Sequence, residues 1–371
     1  RGQRHDARCR GDPDHQCGRR CPPRAPIPHA ELVEASAEQP ERRNRAGRGG
    51  AIACNPNSAV ILESSILRGN RATNGGALHI EEAAGAVRGC RLERNRADFG
   101  GACYVSPEGS CSVGDCTVAR NSAALDGGGF YSLGGVLELT RVVASGNSAR
   151  SGGAFYVAAY GSLYADEVVL PGNTATEQGG GLFADRNSAC RIRRSSMLSN
   201  RAGGDGGAVY GADGSEAYFE SCVLNRNHSG RDGGGACLIE PGVFELAACS
   251  FSGNEADRTG GALLIASGST WIHNSVLWGD GPNEIGVAGH TPIVEFCNIM
   301  GGWPGDGNID RNPLFADPMG GDLHLRPRSP CIDAGNNESM RYDARLDRDG
   351  LPRFEDDPDT HDTGRGTPPV I

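Results

Sequence analysis

The sequence predicts an all-β fold: a right-handed parallel β-helix of about nine regular three-strand coils, followed by irregular C-terminal capping coils. Three observations predict it. A Gly-Gly pair recurs every 25 to 27 residues, an asparagine stands shortly before most of these pairs, and apolar columns alternate with mixed ones. Gly accounts for 57 of the 371 residues, which is about twice the usual share. Helical repeats of this length would instead show a 3.6-residue period and few glycines.

The Gly-Gly pairs set the register of the repeat. They begin at residues 49, 75, 100, 127, 152, 179, 206, 233 and 260. The recurrent asparagine is Asn70, Asn95, Asn121, Asn147, Asn173, Asn200, Asn227 and Asn254, with Asp280 in the ninth unit. We interpret this column as structural, because Asn tolerates the left-handed backbone of a sharp corner and stacked amides can bond one coil to the next. The Gly-Gly pair predicts a second corner, one that needs a positive φ or a close backbone approach.

Alignment of the units, counted from twelve residues before each asparagine, separates buried from exposed columns. The fifth column is apolar throughout: Leu62, Val87, Val113, Leu139, Ala165, Ile192, Phe219, Leu246 and Ile272. The column before it is mixed: Ile61, Ala86, Ser112, Glu138, Tyr164, Arg191, Tyr218, Glu245 and Trp271. This period of two predicts a strand with one face inside. With a second apolar column around the tenth position and a strand after each Gly-Gly pair, the unit predicts three strands per coil. The coils stack in parallel about 4.8 Å apart, and a right hand is the default for such crossovers.

The two ends of the chain depart from the repeat. Residues 1–48 are rich in Arg and Pro, which predicts a disordered segment before the regular β-helix of residues 49–280. Strand-like stretches at 291–300 and 322–327 predict irregular terminal coils over residues 281–335, since solenoid ends require caps. Residues 336–371 are rich in Asp, Arg and Pro, and we expect a loop-rich acidic tail that packs weakly.

The chain has 14 cysteines, and the repeat assigns several of them to one column. Cys90, Cys116, Cys222 and Cys249 share the eighth column with Ser and Val. A column of such small residues points inward, where free Cys behaves as a small hydrophobe. We therefore favour buried free thiols, and a bridge between adjacent coils, Cys90–Cys116 or Cys222–Cys249, is the alternative.

Two sets of residues raise the question of a metal ion. Asp205 and Asp232 occupy one column in neighbouring coils, so strand spacing places them about 5 Å apart. Two carboxylates at this distance repel each other unless a cation or an arginine lies nearby. Oxygen ligands suit Ca²⁺, while Arg201 or Arg231 are the alternative source of positive charge. Near the N-terminus, Cys9, His15, Cys17 and Cys21 match no strong zinc spacing. We expect no cofactor, with Ca²⁺ at Asp205 and Asp232 as a weak alternative.

Composition and charge exclude several functions. The formal net charge is −10, which argues against a nucleic-acid partner because phosphate contacts need clustered cations. All 36 Lys+Arg residues are arginine, so a phosphate-loop lysine, a Schiff-base lysine and a lysine general base are excluded. No run of 18 apolar residues is present, so no membrane span is predicted.

A ladder of aromatic residues is the candidate ligand site. The fifth position after successive Gly-Gly pairs is Tyr104, Tyr131, Tyr156, Phe183 and Tyr210. The fourth position is also apolar, so alternation leaves open which of the two faces inward. If the fourth faces inward, the rings form an exposed strip that can stack on sugars. If the fifth faces inward, the rings form an internal stack that fills the core.

Some segments resemble a known family. The units "NSARSGGAFY", "NRAGGDGGAVY" and "NEADRTGGALL" resemble polymorphic outer membrane protein repeats, and the run "NIDRNPLFADP" with "SPCIDAG" resembles the choice-of-anchor C-terminal module of bacterial β-helix proteins. The resemblance covers about residues 49–371. It implies an outer-membrane-associated, cell-surface or secreted location and no defined reaction.

Two functions from different classes follow. The first is a non-catalytic rod for adhesion or carbohydrate binding, whose partner is an extracellular polysaccharide or another surface ligand. The alternative is a polysaccharide lyase or glycoside hydrolase that acts on an acidic glycan. Without lysine, a lyase would depend on arginine, and Arg191, Arg193 and Arg194 form the densest cluster. Since only fold analogy favours an enzyme, we expect binding rather than catalysis.

Overall fold

The computed structural model describes residues 32–34, 45–340, 346–355 and 357–366. It is a parallel β-solenoid of about ten turns, which confirms the predicted fold class. Each regular coil has four strands rather than the three that we predicted. The additional strand lies between the asparagine and the next Gly-Gly pair, and its inward residue is a buried Ala or Ser. The segment is only two to five residues long and mostly polar, so it carries too little alternation to be recognised as a strand.

The strands form four parallel sheets, numbered here from the strand that follows the Gly-Gly pair. Sheet 1 consists of Ile52–Cys54, Leu78–Ile80, Cys103–Val105, Phe130–Leu133, Phe155–Ala158, Leu182–Ala184, Val209–Ala212, Ala236–Ile239, Leu263–Ile265 and Ile285–Val287. Sheet 2 consists of Leu32–Glu34, Ala59–Glu63, Ala84–Arg88, Ser110–Gly114, Val136–Thr140, Ser162–Asp166, Ala189–Arg193, Glu216–Glu220, Val243–Ala247, Ser269–His273 and Ile293–Glu295.

Sheets 3 and 4 complete each coil. Sheet 3 consists of Ile66–Arg68, Arg91–Glu93, Thr117–Ala119, Val143–Ser145, Val169–Pro171, Ser196–Leu198, Val223–Asn225, Ser250–Ser252, Val276–Leu277 and Asn298–Ile299. Sheet 4 consists of Arg45–Arg48, Arg71–Asn74, Arg96–Phe99, Ser122–Asp126, Ser148–Ala149, Thr174–Ala175, Arg201–Ala202, His228–Ser229 and Glu255–Ala256.

The alternating columns occupy the two faces that their pattern predicts. In sheet 2, the fifth-column residues such as Leu139 and Ile192 are buried, while Tyr164 in the mixed column is 44% exposed. The inward side chains of the sheets join into one continuous apolar core along the rod. In sheet 1, Phe130 and Phe155 at the fourth position belong to this core, so the fifth-position rings stand on the outer face.

The asparagine column forms an unbroken chain of amide hydrogen bonds inside the rod. The Nδ2 of Asn121 donates to the Oδ1 of Asn147 at 3.0 Å, and the same bond recurs from Asn70 to Asn254. The predicted coil-to-coil stacking is therefore confirmed. The left-handed backbone, however, belongs to the preceding residue, for example Arg120 at φ 55° or Gly146 at φ 58°. Our assignment of that conformation to the asparagine was wrong, because it overlooked this neighbour.

The Gly-Gly pair makes the closest approach between coils. Gly75 has a φ of +66°, a conformation that L side chains rarely adopt. Gly76 is required for a different reason, since a Cβ there would lie 2.1 Å from the carbonyl oxygen of Gly101 in the next coil. Each pair thus combines a left-handed corner with a direct backbone contact.

The thiols lie inside the rod. The cysteines in the described part of the chain, Cys54, Cys90, Cys103, Cys111, Cys116, Cys190, Cys222, Cys237, Cys249, Cys297 and Cys331, are free and buried. The four eighth-column thiols are buried and free, as predicted, and no disulfide joins them. The N-terminal Cys9, His15, Cys17 and Cys21, and most of the predicted disordered segment 1–48, lie outside the described residues.

Both ends of the repeat extend beyond residues 49–280. Leu32–Glu34 pairs with Ala59–Glu63, and Arg45–Arg48 pairs with Arg71–Asn74, so two strands of the N-terminal segment belong to the first turn. A last turn follows Asp280 and contributes strands to sheets 1, 2 and 3.

The chain then runs back along the outer face of sheet 3. We call this segment the C-terminal cover: residues 313–340, 346–355 and 357–366. It contains the antiparallel strands Phe315–Asp317 and Asp322–Leu325 and the 3-10 helix Asn337–Ser339. Its tail was predicted to pack weakly. Most described residues of the tail are exposed or half-buried, and Arg353 is one of the exceptions. Arg353 is 6% exposed and donates to the Ser221 hydroxyl, a contact across 132 residues of sequence.

Candidate functional site

The aromatic ladder on sheet 1 is a stack of rings whose faces cover one another. It begins one coil earlier than predicted, because the His79 ring stacks on Tyr104 at 5.0 Å between centroids. The next centroid separations, from Tyr104 through Tyr131, Tyr156 and Phe183 to Tyr210, are 5.3, 5.1, 4.7 and 4.8 Å. The stack is outside the core, as one alternative required, but Tyr104 and Tyr131 are only 8% and 7% exposed. Neighbouring rings cover the ring faces that would stack on a sugar, so only the ring edges remain accessible.

Carboxylate groups flank the ladder, and one of them accepts a hydrogen bond from a tyrosine hydroxyl. The Tyr156 hydroxyl donates to Asp185 Oδ2 at 2.8 Å. Asp185 and Asp126 are buried beside the rings, and burial raises the pKa of each carboxyl group. Burial also raises the pKa of Tyr210 to about 12, so the phenol stays protonated. The ladder is a stable, mostly covered strip, and ligand binding at its five predicted residues stays a prediction.

The Asp205–Asp232 pair has a backbone hydrogen bond and arginines in its surroundings. Asp205 Oδ1 accepts a hydrogen bond of 3.2 Å from the backbone N–H of Asp232. Burial raises the pKa of Asp205, while Arg231 and Arg258 act in the opposite direction. Arginine, the alternative charge source, is therefore present beside the pair. In the described part of the chain, no group of three or more His, Cys, Asp or Glu side chains is arranged to hold a metal ion, and calcium at this pair stays a prediction.

The outer face of sheet 2 carries a second aromatic column with a different spacing. Successive strands place Tyr164, Arg191, Tyr218, Glu245 and Trp271 side by side in register. An aromatic ring therefore recurs in every second coil, about 9.6 Å apart by strand spacing, which is too far for ring stacking. Tyr164 is 44% exposed and Trp271 is 37% exposed. We call these five residues the sheet 2 face.

Charged partners organise this face. The Arg191 guanidinium lies over the Tyr218 ring, 5.8 Å from its centroid, a favourable cation–π contact. Arg194 binds both carboxylate oxygens of Asp166, at 3.0 and 2.5 Å, and this contact raises its pKa. Arg193 lies 4.0 Å from Glu220. The three arginines that a lyase would depend on are thus all engaged in contacts within the chain.

A cavity of about 440 Å³ lies between sheet 3 and the C-terminal cover. Its floor is formed by the outward residues of successive strands, Ser196, Val223, Ser250 and Val276. The cover contributes Arg348, which donates to Ser196 at 2.7 Å, together with other charged side chains. Two coils before Ser196, the same column is uncovered, and Val143 is 41% exposed. The volume lies within the usual range of about 300–1,000 Å³ for ligand pockets.

One of these two sites, the sheet 2 face, could have been predicted from the sequence. The mixed column named Tyr164, Tyr218 and Trp271, and their two-coil spacing was the signal that we missed. Nothing in the repeat predicted the cavity, because its roof comes from the non-repeating residues that fold back over sheet 3.

Comparisons with known proteins add no assignment. No protein family, curated protein or solved structure matches this chain. Over the residues described, no helix is both long and apolar enough to cross a membrane.

Proposed function

We propose that this protein is a non-catalytic binding rod of the cell surface or extracellular space, and that it binds a polysaccharide on the sheet 2 face. The observation that carries the proposal is the exposure of Tyr164 and Trp271 in a column whose rings are two coils apart. Rings at this spacing do not cover one another, so the faces of Tyr164 and Trp271 are available, while Tyr218 is paired with Arg191. Flat apolar faces are suited to stack on sugar rings.

The residues between the rings support the same ligand. Arg191 and Glu245 alternate with the aromatic residues along the rod axis. A guanidinium donates hydrogen bonds and a carboxylate accepts them. Together they can bind sugar hydroxyl groups both as acceptors and as donors. A straight column on a rod suits an extended polymer better than a small molecule.

Supporting observations for the enzyme alternative are lacking in the described residues. On the sheet 2 face, His273 Nε2 lies 3.6 Å from Glu245. On the C-terminal cover, His324 lies between Asp322 and Asp349, and both of its ring nitrogens face carboxylates. These contacts, that to Asp349 first, raise the pKa of His324. An imidazole whose two ring nitrogens both bind carboxylates has no free nitrogen with which to accept a substrate proton.

The family proposal rests on the sequence resemblance alone. The Gly-Gly-Ala units and the C-terminal run are the residues that resemble polymorphic outer membrane protein repeats and a choice-of-anchor module. A surface location agrees with a binding rod, and localisation of the tagged chain in its own cell tests it directly.

A glycan array followed by calorimetry on the captured oligosaccharide tests the binding proposal. We expect Tyr164→Ala and Trp271→Ala each to weaken binding about tenfold or more, since exposed aromatic anchors dominate such contacts. Tyr160→Ala is the matched control, because Tyr160 is 77% exposed but lies outside the face. Unchanged affinity in both face variants would rule out this site, and an unsaturated uronate product in the same incubations would refute a non-catalytic role.

A further inference from the structure

The cavity under the C-terminal cover contains a buried positive charge without a counter-ion. Arg353 lines the cavity and is 6% exposed. Its Nη2 donates to Ser221 Oγ at 2.6 Å and to the Leu346 carbonyl at 3.5 Å. Its Nε is buried and has no acceptor, and the guanidinium forms no ion pair with a carboxylate of the described residues.

Such an arrangement is unfavourable for the chain alone. Burial lowers the pKa of Arg353, while Asp347 and Glu220 act on it only from outside ion-pair distance. Buried charges in proteins are paired, because water or a hydroxyl group satisfies a hydrogen bond but not the charge. The missing partner is therefore an anion.

The acidic side chains of the cavity have other partners, and Asp357 accepts from the Thr360 hydroxyl at 2.9 Å. Asp322 and Asp349 hold His324 between them, and Asp349 also accepts from Arg348 at 3.3 Å. Asp347 accepts the backbone N–H groups of Asp349 and Leu351, at 2.9 and 2.8 Å. These carboxylates are fixed within the cover and leave Arg353 unpaired.

The remaining lining is mainly apolar. Between the floor and the cover it includes Leu198, Val223, Val276, Ile309, Leu325 and Ile332. A ligand that fits must therefore combine an anionic group with a hydrocarbon body. A carboxylate matches the planar guanidinium fork, which binds its two oxygens side by side.

We propose that the cavity binds a small organic carboxylate with an apolar body, and that Arg353 pairs with its carboxylate group. This site lies on sheet 3 under the cover and is independent of polysaccharide binding on sheet 2. A bound ligand contacts both the cover and sheet 3, so binding stabilises the packing of the cover against the rod.

Calorimetry with octanoate and its neutral analogue octanamide on the whole purified chain tests the proposal. We expect octanoate to bind at least tenfold more tightly than octanamide, because only the carboxylate forms a charge-assisted pair with the guanidinium. Arg353→Gln should weaken octanoate binding by the same factor and leave octanamide binding unchanged. Arg328→Gln is the control, since Arg328 is an exposed arginine of the cover.

A second variant keeps the test decisive if Arg353→Gln does not fold. Ser250 lies on the cavity floor with its side chain pointing away from the core, so Ser250→Phe fills the space and leaves Arg353 in place. We expect it to reduce binding of both probes with an unchanged circular dichroism spectrum. Equal affinity for octanoate and octanamide, full octanoate binding by either variant, or no binding by the wild-type chain would each overturn the proposal.

Discussion

Two aromatic columns run along the same rod, and their spacing gives them opposite properties. On sheet 1 a ring stands in each coil from Tyr104 to Tyr210, at centroid separations of 4.7 to 5.3 Å, and neighbouring rings cover one another. On sheet 2 a ring stands in every second coil, with Arg191 and Glu245 between. Consequently Tyr131 is 7% exposed and Tyr164 is 44% exposed, although both point away from the core. In a solenoid, the interval between identical side chains decides whether they bind each other or are available to a ligand.

Truncating the ladder should give the largest effect. Tyr131→Ala with Tyr156→Ala removes two stacked rings and the hydrogen bond to Asp185. We expect a decrease of about 4 kcal/mol in the free energy of unfolding, since large aromatic truncations in cores cost about 3–5 kcal/mol each and these rings are outside the core. Urea unfolding measures it, with Tyr160→Ala as the exposed control. Polysaccharide binding should be unchanged, and a loss of binding at unchanged stability would return the ligand site to the ladder.

Filling the gaps on sheet 2 should convert one column into the other. Arg191→Tyr with Glu245→Tyr places a ring in every coil from Tyr164 to Trp271. The change creates four new neighbouring ring pairs, each contributing about 0.5–1.5 kcal/mol. It also removes the Arg191 contact with Tyr218 and the Glu245 contact with His273, so we expect a net gain of at least about 1 kcal/mol. Polysaccharide affinity should decrease as the ring faces become covered. Tighter binding in this variant would contradict the spacing argument.

The smallest expected effect is a pH dependence of stability that comes from Asp185, beside the aromatic ladder of sheet 1. Burial raises the pKa of Asp185 above its unfolded value, so the folded chain retains this proton to higher pH than the unfolded chain. Stability therefore falls as pH rises from about 4, the usual pKa of Asp, through the raised pKa.

Asp185→Asn removes this dependence and keeps an acceptor for the Tyr156 hydroxyl. Urea unfolding at pH 4 and pH 7 should show a smaller decrease for the variant than for the wild type. Asp98→Asn, at an exposed position on sheet 4, should leave the decrease as it is. An identical decrease in the Asp185 variant would show that its carboxyl group is not the cause.

Sequence reasoning reached the features that repeat and missed those that do not. Periodicity identified the parallel solenoid, the buried fifth column and the asparagine stack, because each is confirmed by many copies in register. The fourth strand escaped because its one inward residue per coil, such as Ala72 or Ala123, gives no alternation. The cavity escaped because contacts such as that of Arg353 with Ser221 span 132 residues and occur once.

The asparagine stack also has a defined end within the rod. Each Asn from Asn95 to Asn254 accepts through its side-chain oxygen and donates through its amide nitrogen, like a monomer with two reactive ends. Asp280 accepts from the backbone N–H and the amide of Asn254, at 2.6 and 2.7 Å, but its side chain has no amide to pass on. It resembles the end group that terminates a polymer, and the exchange of one nitrogen for oxygen encodes the length of the spine.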